Sequence, residues 1–211
     1  MANKSGNAFS LTLLCPILNG VAEDDPNSNR SPQSHAAVLR DHLENLPLHE
    51  NSPLARVPNT YLARLFVLHN VVYEGKPALE DQLKSQYLVF SSSFHGKLDP
   101  YLTGMWDAIA PDIREIWKHC IGFELVNDAA SFIHYIKKCQ VKNTFFFMGS
   151  TDVSQAEQLK ALYLKQEFSK FVFANQGKSS GELKAVFEAF VDDTQPHELS
   201  GPTWVPGQSK L

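Results

Sequence analysis

A chain of 211 residues, 43% apolar and 20% charged with a net charge of −4, has the composition of an ordinary globular protein with enough apolar residues for one sizeable core. Its 19 Lys and Arg are scattered, and its apolar runs fall well short of the ~20 residues a bilayer span needs, so neither a nucleic-acid surface nor a membrane span is expected. Cys15, Cys120 and Cys139 are odd in number, far apart and lack a C-x-x-C pair, which argues against a disulfide framework or a metal site and points to reduced, buried thiols.

Met1 to Asn7 lacks the basic region and apolar stretch of a secretory signal. From Phe9 to Ile17, Leu11, Leu13, Cys15 and Ile17 alternate on one face, which predicts a strand ending near Pro16. Asn19 to Gln33 is a polar connection, and Ser34 is placed to cap a helix over His35 to Leu46 with Leu39, Leu43 and Leu46 on one stripe. Pro47, Pro53 and Pro58 keep the following stretch irregular.

Tyr61 to Tyr73 is rich in β-branched and aromatic residues and predicts a long strand closed by Gly75-Lys76-Pro77. One of its faces carries Leu62, Arg64, Phe66 and Leu68; the other carries Tyr61, Ala63, Leu65, Val67 and His69. Gln86 to Phe94 predicts its antiparallel partner, across an insertion with a short helical piece near Ala78 to Lys84. Asp99 is read as the cap of a helix with Leu102, Met105, Trp106 and Ile109 at helical spacing; Pro111 restarts it through Ile113, Ile116, Trp117 and Cys120, and Gly122 ends it.

Asn127 or Asp128 caps a short helix with Phe132, Ile133 and Ile136 on one side, and Thr144 to Met148 predicts a buried strand. Ser154 with Glu157, and Ser179 with Glu182, form capping boxes for two helices ending near Phe173 and Phe190. The order β-α-β-β-α-α-β-α-α is that of an α+β, ferredoxin-like fold: a four-stranded antiparallel sheet with helices on one face and C-terminal helical additions, in one domain over residues 1–193. The uncovered face calls for a second copy, so a homodimer is expected.

Residues 194–211 carry Pro196, Pro202 and Pro206 between polar spacers and read as an exposed tail. The tail ends on Ser209, Lys210 and Leu211, the tripeptide that a peroxisomal import receptor reads. In a eukaryote the expected location is the peroxisome, otherwise the cytoplasm.

Three stretches also carry a resemblance: Ser52 to Leu68 (S-P-L-A-R-V-P-N-T-Y-L-A-R-L-F-V-L), Leu88 to Leu102 (L-V-F-S-S-S-F-H-G-K-L-D-P-Y-L) and Ile113 to Phe123 (I-R-E-I-W-K-H-C-I-G-F). They resemble a poorly characterised group of dimeric α+β, ferredoxin-like proteins, within a superfamily that includes dye-decolourising haem peroxidases and chlorite dismutases. The resemblance covers roughly residues 52–175 and implies the fold more than the chemistry, because this is a superfold with many activities. Arg64, Gly96, Asp99, Tyr101 and the His119-Cys120 pair match the pattern. Leu62, Ser93 and His95 depart from it at positions where the group carries polar residues.

As candidate catalytic residues, Arg64 stands among Leu62, Phe66 and Leu68, where a guanidinium needs a ligand anion or a partner such as Asp99. His95 sits in a turn after a strand, and His119 ends an amphipathic helix. Ser91, Ser93, Asp99 and Tyr101 are candidate substrate contacts. The resemblance implies a further role for His119, as an axial haem ligand with Arg64 as the distal group, but a lone histidine at a helix end is more often a cap, so the cofactor stays open. The expectation is a small-molecule enzyme acting on an apolar or oxidised substrate, whether acyl, carbonyl or peroxide-linked, in a pocket between sheet and helices. The alternative is a non-catalytic ligand-binding or assembly module of the same fold, because no nucleophile elbow, P-loop or zinc-helix motif is present.

Overall fold

The computed structural model describes residues 3–22, 32–71, 75–76, 83–149 and 153–194. The Ser209-Lys210-Leu211 tripeptide and most of the helical piece expected at 78–84 lie outside them. The chain divides into two compact units, Met1–Asp152 and Val153–Leu211.

The first unit holds β1 (Lys4–Ser5), β2 (Ala8–Pro16), α1 (His35–Glu44), β3 (Thr60–Leu68), β4 (Tyr87–His95), α2 (Leu98–Trp117) and α3 (Ala129–Cys139). The strands form one antiparallel sheet in the order β1-β2-β4-β3. β2 and β3 flank β4, so β2-α1-β3 is a split β-α-β unit, and the fold is α+β with a ferredoxin-like arrangement of these three strands. Alternation sorts their side chains. Leu11, Leu13 and Cys15 of β2, with Leu88, Phe90 and Phe94 of β4, are buried in the core, where Leu39, Trp117, Phe132 and Ile136 of the helices meet them. Trp117 anchors that layer, with its ring 5.6 Å from Phe90 and 6.2 Å from Phe132, both edge-on.

The fourth strand is not the one expected. Thr144 to Met148 is irregular, with Phe145 and Phe147 80% and 71% exposed. The edge of β2 that it would have joined is occupied elsewhere. β1 takes one end through a tight Gly6-Asn7 hairpin, Gly6 supplying a φ of 60°. Single bridges from Gln140 to Leu13 and from Cys120 to Ile17 take the rest.

β3 stops at Leu68, short of the expected Tyr73; His69 beyond it faces the Arg40 guanidinium. Ser34 caps α1 as expected, accepting from the Ala37 N–H at 3.2 Å, and Asp128 caps α3 in a reciprocal box with Ser131. Asp99 is not a cap: Lys97 holds that position, and Asp99 falls in the first turn of α2, where a negative charge suits the helix dipole. Pro111 restarts α2 across a kink, as expected, and the break appears at Ile109, whose φ of −141° leaves the helical region.

The second unit is a helical pair, α4 (Gln155–Ala174) and α5 (Ser180–Thr194), joined through Gly177 at a φ of 77°. Phe168, Phe171, Phe187 and Phe190 pack against one another between the two helices, with the Phe171 and Phe190 rings 4.9 Å apart. α5 runs four residues beyond Phe190, the end that the apolar pattern suggested.

Candidate functional site

The outer face of the sheet gathers four of the predicted residues. Across it, register places Leu62 beside Ser93 and Ser10, Arg64 beside Ser91 and Thr12, and Phe66 beside Val89 and Leu14; Leu68, Tyr87 and Pro16 complete the last row. One end of this face is therefore hydroxyl-rich around a single cation, and the other is apolar. Arg64 is exposed rather than enclosed, because its neighbours on the strand, Leu62 and Phe66, are themselves 56% and 48% exposed. It has no ion-pair partner among the described residues. The partner proposed for it, Asp99, pairs instead with Lys137 at 2.7 Å.

His95 shares the outer face of β4 with Ser91 and Ser93, but two residues of strand advance ~7 Å, so it stands roughly 13 Å from Ser91 along the strand. Its backbone N–H donates to Asn59 O at 3.0 Å, which ties the end of β4 to the entry of β3.

Tyr101 lies on the opposite side of the sheet, in the core. Its ring stacks on Phe94 with centroids 3.6 Å apart, and its hydroxyl meets Ser92 Oγ at 2.8 Å and Thr60 Oγ1 at 3.1 Å. Burial raises its pKa, opposed by these two hydrogen bonds. Tyr101 is a satisfied core tyrosine, and Ser92, between the two serines singled out from the sequence, is its partner.

His119 belongs to neither group. It follows α2 with 6% of its surface exposed, and its Nδ1 is 3.1 Å from Nδ1 of His35 on α1. Burial, then the Lys118 ammonium and the His35 ring, bring its pKa down to about 4, so it is neutral where most proteins work. A haem held by His119 with Arg64 on its distal side does not fit this arrangement. The imidazole is packed in the helical layer against a second imidazole, while the guanidinium points from the other face of the sheet.

Proximity of the cysteines was the feature sequence reading missed. Cys15, Cys120 and Cys139, 105 and 19 residues apart along the chain, are all free, and they converge beside Trp117 and Tyr135. Nothing in their spacing announces this, because β2, the end of α2 and the end of α3 meet only through tertiary packing. No group of three His, Cys, Asp or Glu among the described residues has metal-binding geometry.

The chain matches no protein-family model, no curated protein and no solved structure. Function must therefore be read from the sites themselves. The layer between sheet and helices, where a substrate pocket was expected, is filled by fully buried side chains such as Phe90, Phe94, Trp117 and Phe132. The second unit carries an open apolar groove of about 640 Å³ along Phe168, Phe171, Val172, Leu183 and Phe187. No helix among the described residues is long and apolar enough to cross a membrane.

Proposed function

We propose that this protein binds an apolar, oxidised small molecule of the acyl or carbonyl class on the outer face of its sheet, and does so inside peroxisomes. The division of that face carries the reading: Arg64 stands among Ser10, Thr12, Ser91 and Ser93, and the next rows are Leu14, Val89 and Phe66, then Tyr87 and Leu68. The planar guanidinium would take a carboxylate or polarised carbonyl through two parallel N–H donors, with the hydrocarbon part lying over Phe66 and Leu14. An exposed Arg–carboxylate pair contributes at most about 1 kcal/mol, so the apolar rows must supply the larger share. Covering ~200 Å² of them would supply about 5 kcal/mol.

Closure by a second copy belongs to the same reading, because it would exclude water and strengthen the contact at Arg64. Light scattering at monomer mass across the micromolar range would remove that part of it. The peroxisomal location rests on Ser209, Lys210 and Leu211 read as an address.

A binding role is favoured over a catalytic one by the neighbours of Arg64, which are Leu62, Phe66, Ser91, Val89 and Ser93, none of them an acid or base. An enzyme of the same substrate class would need His95 to reach a ligand extending roughly 13 Å from Ser91 along the strand.

The test is thermal denaturation with a medium-chain carboxylate and its neutral ketone analogue. Both should raise the melting temperature of the natural chain, and Arg64→Met should lose the advantage of the carboxylate over the ketone. Equal stabilisation of Arg64→Met and the natural chain by the carboxylate would overturn the assignment.

A further inference from the structure

Cys15, near the end of β2, is flanked on the strand's edge by two single antiparallel bridges. Leu13 pairs with Gln140, supported by Val141 N–H donating to Thr12 O at 2.8 Å. Ile17 pairs with Cys120, supported by Ile121 N–H donating to Pro16 O at 2.8 Å. Cys139, next to Gln140, and Cys120 are thereby pinned on either side of Cys15. The Cys15 and Cys139 thiols are close enough for each to perturb the other's titration. Cys15 and Cys120 have no exposed surface, whereas Cys139, the last residue of α3, is partly exposed.

Two polar groups in this cluster are orphaned. Trp117 Nε1 and Tyr135 Oη are buried without a hydrogen-bond partner, which ordinarily destabilises a core. They lie beside sulfur: Trp117 by Cys15, and Tyr135 by Cys120 and Cys139. A neutral thiol is a poor acceptor, but a thiolate is a strong one, so these donors suit a site where sulfur becomes charged.

We propose that Cys139 and Cys15 form a peroxide-reactive dithiol, with Cys139 as the attacking sulfur and Cys15 as the resolving one. The Cys139 thiolate attacks the outer oxygen of a hydroperoxide. A sulfur–oxygen bond forms, the O–O bond breaks, and the leaving alkoxide or hydroxide takes the proton that the Cys139 thiol released. Cys139 is then a sulfenic acid. The Cys15 sulfur attacks that sulfur, the S–O bond breaks, and water leaves carrying the Cys15 proton. The sum is two thiols and one hydroperoxide converted to a disulfide, an alcohol or water, and one further water, the two electrons coming from sulfur.

The order of roles follows from the surroundings. Cys139 is the thiol that solvent can approach, and the neighbouring Cys15 thiol holds it below the usual thiol range, to about 7. Cys139 and burial push Cys15 far up, so it stays protonated until the sulfenic acid forms beside it. Burial pushes Cys120 up to about 12, which leaves it a reduced bystander. This inference is independent of the ligand reading of the outer sheet face, which uses none of these residues.

The experiment treats the fully reduced, full-length chain with one equivalent of hydrogen peroxide at pH 7, followed by alkylation and non-reducing peptide mapping. The natural chain should lose two hydrogens, leave only Cys120 open to alkylation and yield a Cys15–Cys139 cross-linked peptide, at a rate about fivefold above that of free cysteine. Cys15→Ala should stop at a sulfenic acid on Cys139 that dimedone traps, and Cys139→Ser should stay reduced. Peroxide consumption no faster than that of free cysteine, or a cross-link through Cys120 instead, would overturn the proposal. Both readouts come from the natural chain, so they decide the matter even where a variant fails to fold.

Discussion

The two faces of one sheet are made from alternate residues of the same strands, yet they end in opposite circumstances. On β4, Leu88, Phe90 and Phe94 are sealed under the helices, while Ser91, Ser93 and His95 between them look outward. On β3, Ala63, Leu65 and Val67 pack inward, and Leu62, Arg64 and Phe66 stay exposed. The inner face carries the stability, because its groups on β2 and β4 have lost their water to the core and those on β3 have lost part of it. The outer face contributes little to folding and is free to carry a charge beside a run of large apolar groups. That freedom makes it the better place to look for a ligand.

Two phenylalanines test this division most directly. Phe90→Ala should destabilise the protein by about 4 kcal/mol, since it leaves a cavity against Trp117. Phe66→Ala on the outer face should cost under about 1 kcal/mol. Chemical denaturation of both variants gives the answer, and comparable losses would mean that the faces are not energetically distinct.

A smaller effect comes from His119, within the helical layer. Its pKa is about 4 in the folded chain against the 6.5 of an ordinary histidine, so between these values the unfolded chain holds the extra proton. Stability is then fully present above pH 6.5 and falls as the pH drops toward 4. At about 1.4 kcal/mol per pKa unit the loss comes to about 3 kcal/mol or slightly more. Lys118, His35 and His42 work against the protonated ring and Glu115 favours it, so the measured slope reports their sum. His119→Phe should flatten denaturation midpoints over this range, and an unchanged profile would show that another group titrates there.

The smallest expected effect is at Arg64. It is exposed and makes no ion pair among the described residues, so Arg64→Met should shift unliganded stability by less than about 0.5 kcal/mol. A loss near 3 kcal/mol would reveal a stranded carboxylate and return Arg64 to a structural role.

Legibility followed range. The caps at Ser34, Asp128 and Ser154 were readable because a hydroxyl or carboxylate and the N–H it accepts from lie three residues apart. β2, β3 and β4 were readable because their apolar residues repeat on alternate positions. Thr144 to Met148 misled because a run of phenylalanines states an appetite for burial without saying whether a partner edge remains, and β1, Gln140 and Cys120 had taken it. The Gly6-Asn7 pair was the available signal for β1. At the candidate site, alternation alone put Leu62, Arg64 and Phe66 on one face, but register was needed to bring Ser91 and Thr12 alongside.

Sequence by itself therefore determined what depends on neighbours in the chain: helix starts, strand faces and the α+β order. Tertiary structure alone decided which face of β3 stayed in water, which histidine met which, and that Cys15, Cys120 and Cys139 converge on one edge of β2. The physical reason is that a strand's pattern specifies that one side is to be buried, while the identity of what buries it is set by segments as far away as Gln140 is from Leu13, 127 residues, whose arrival leaves no local trace in the chain.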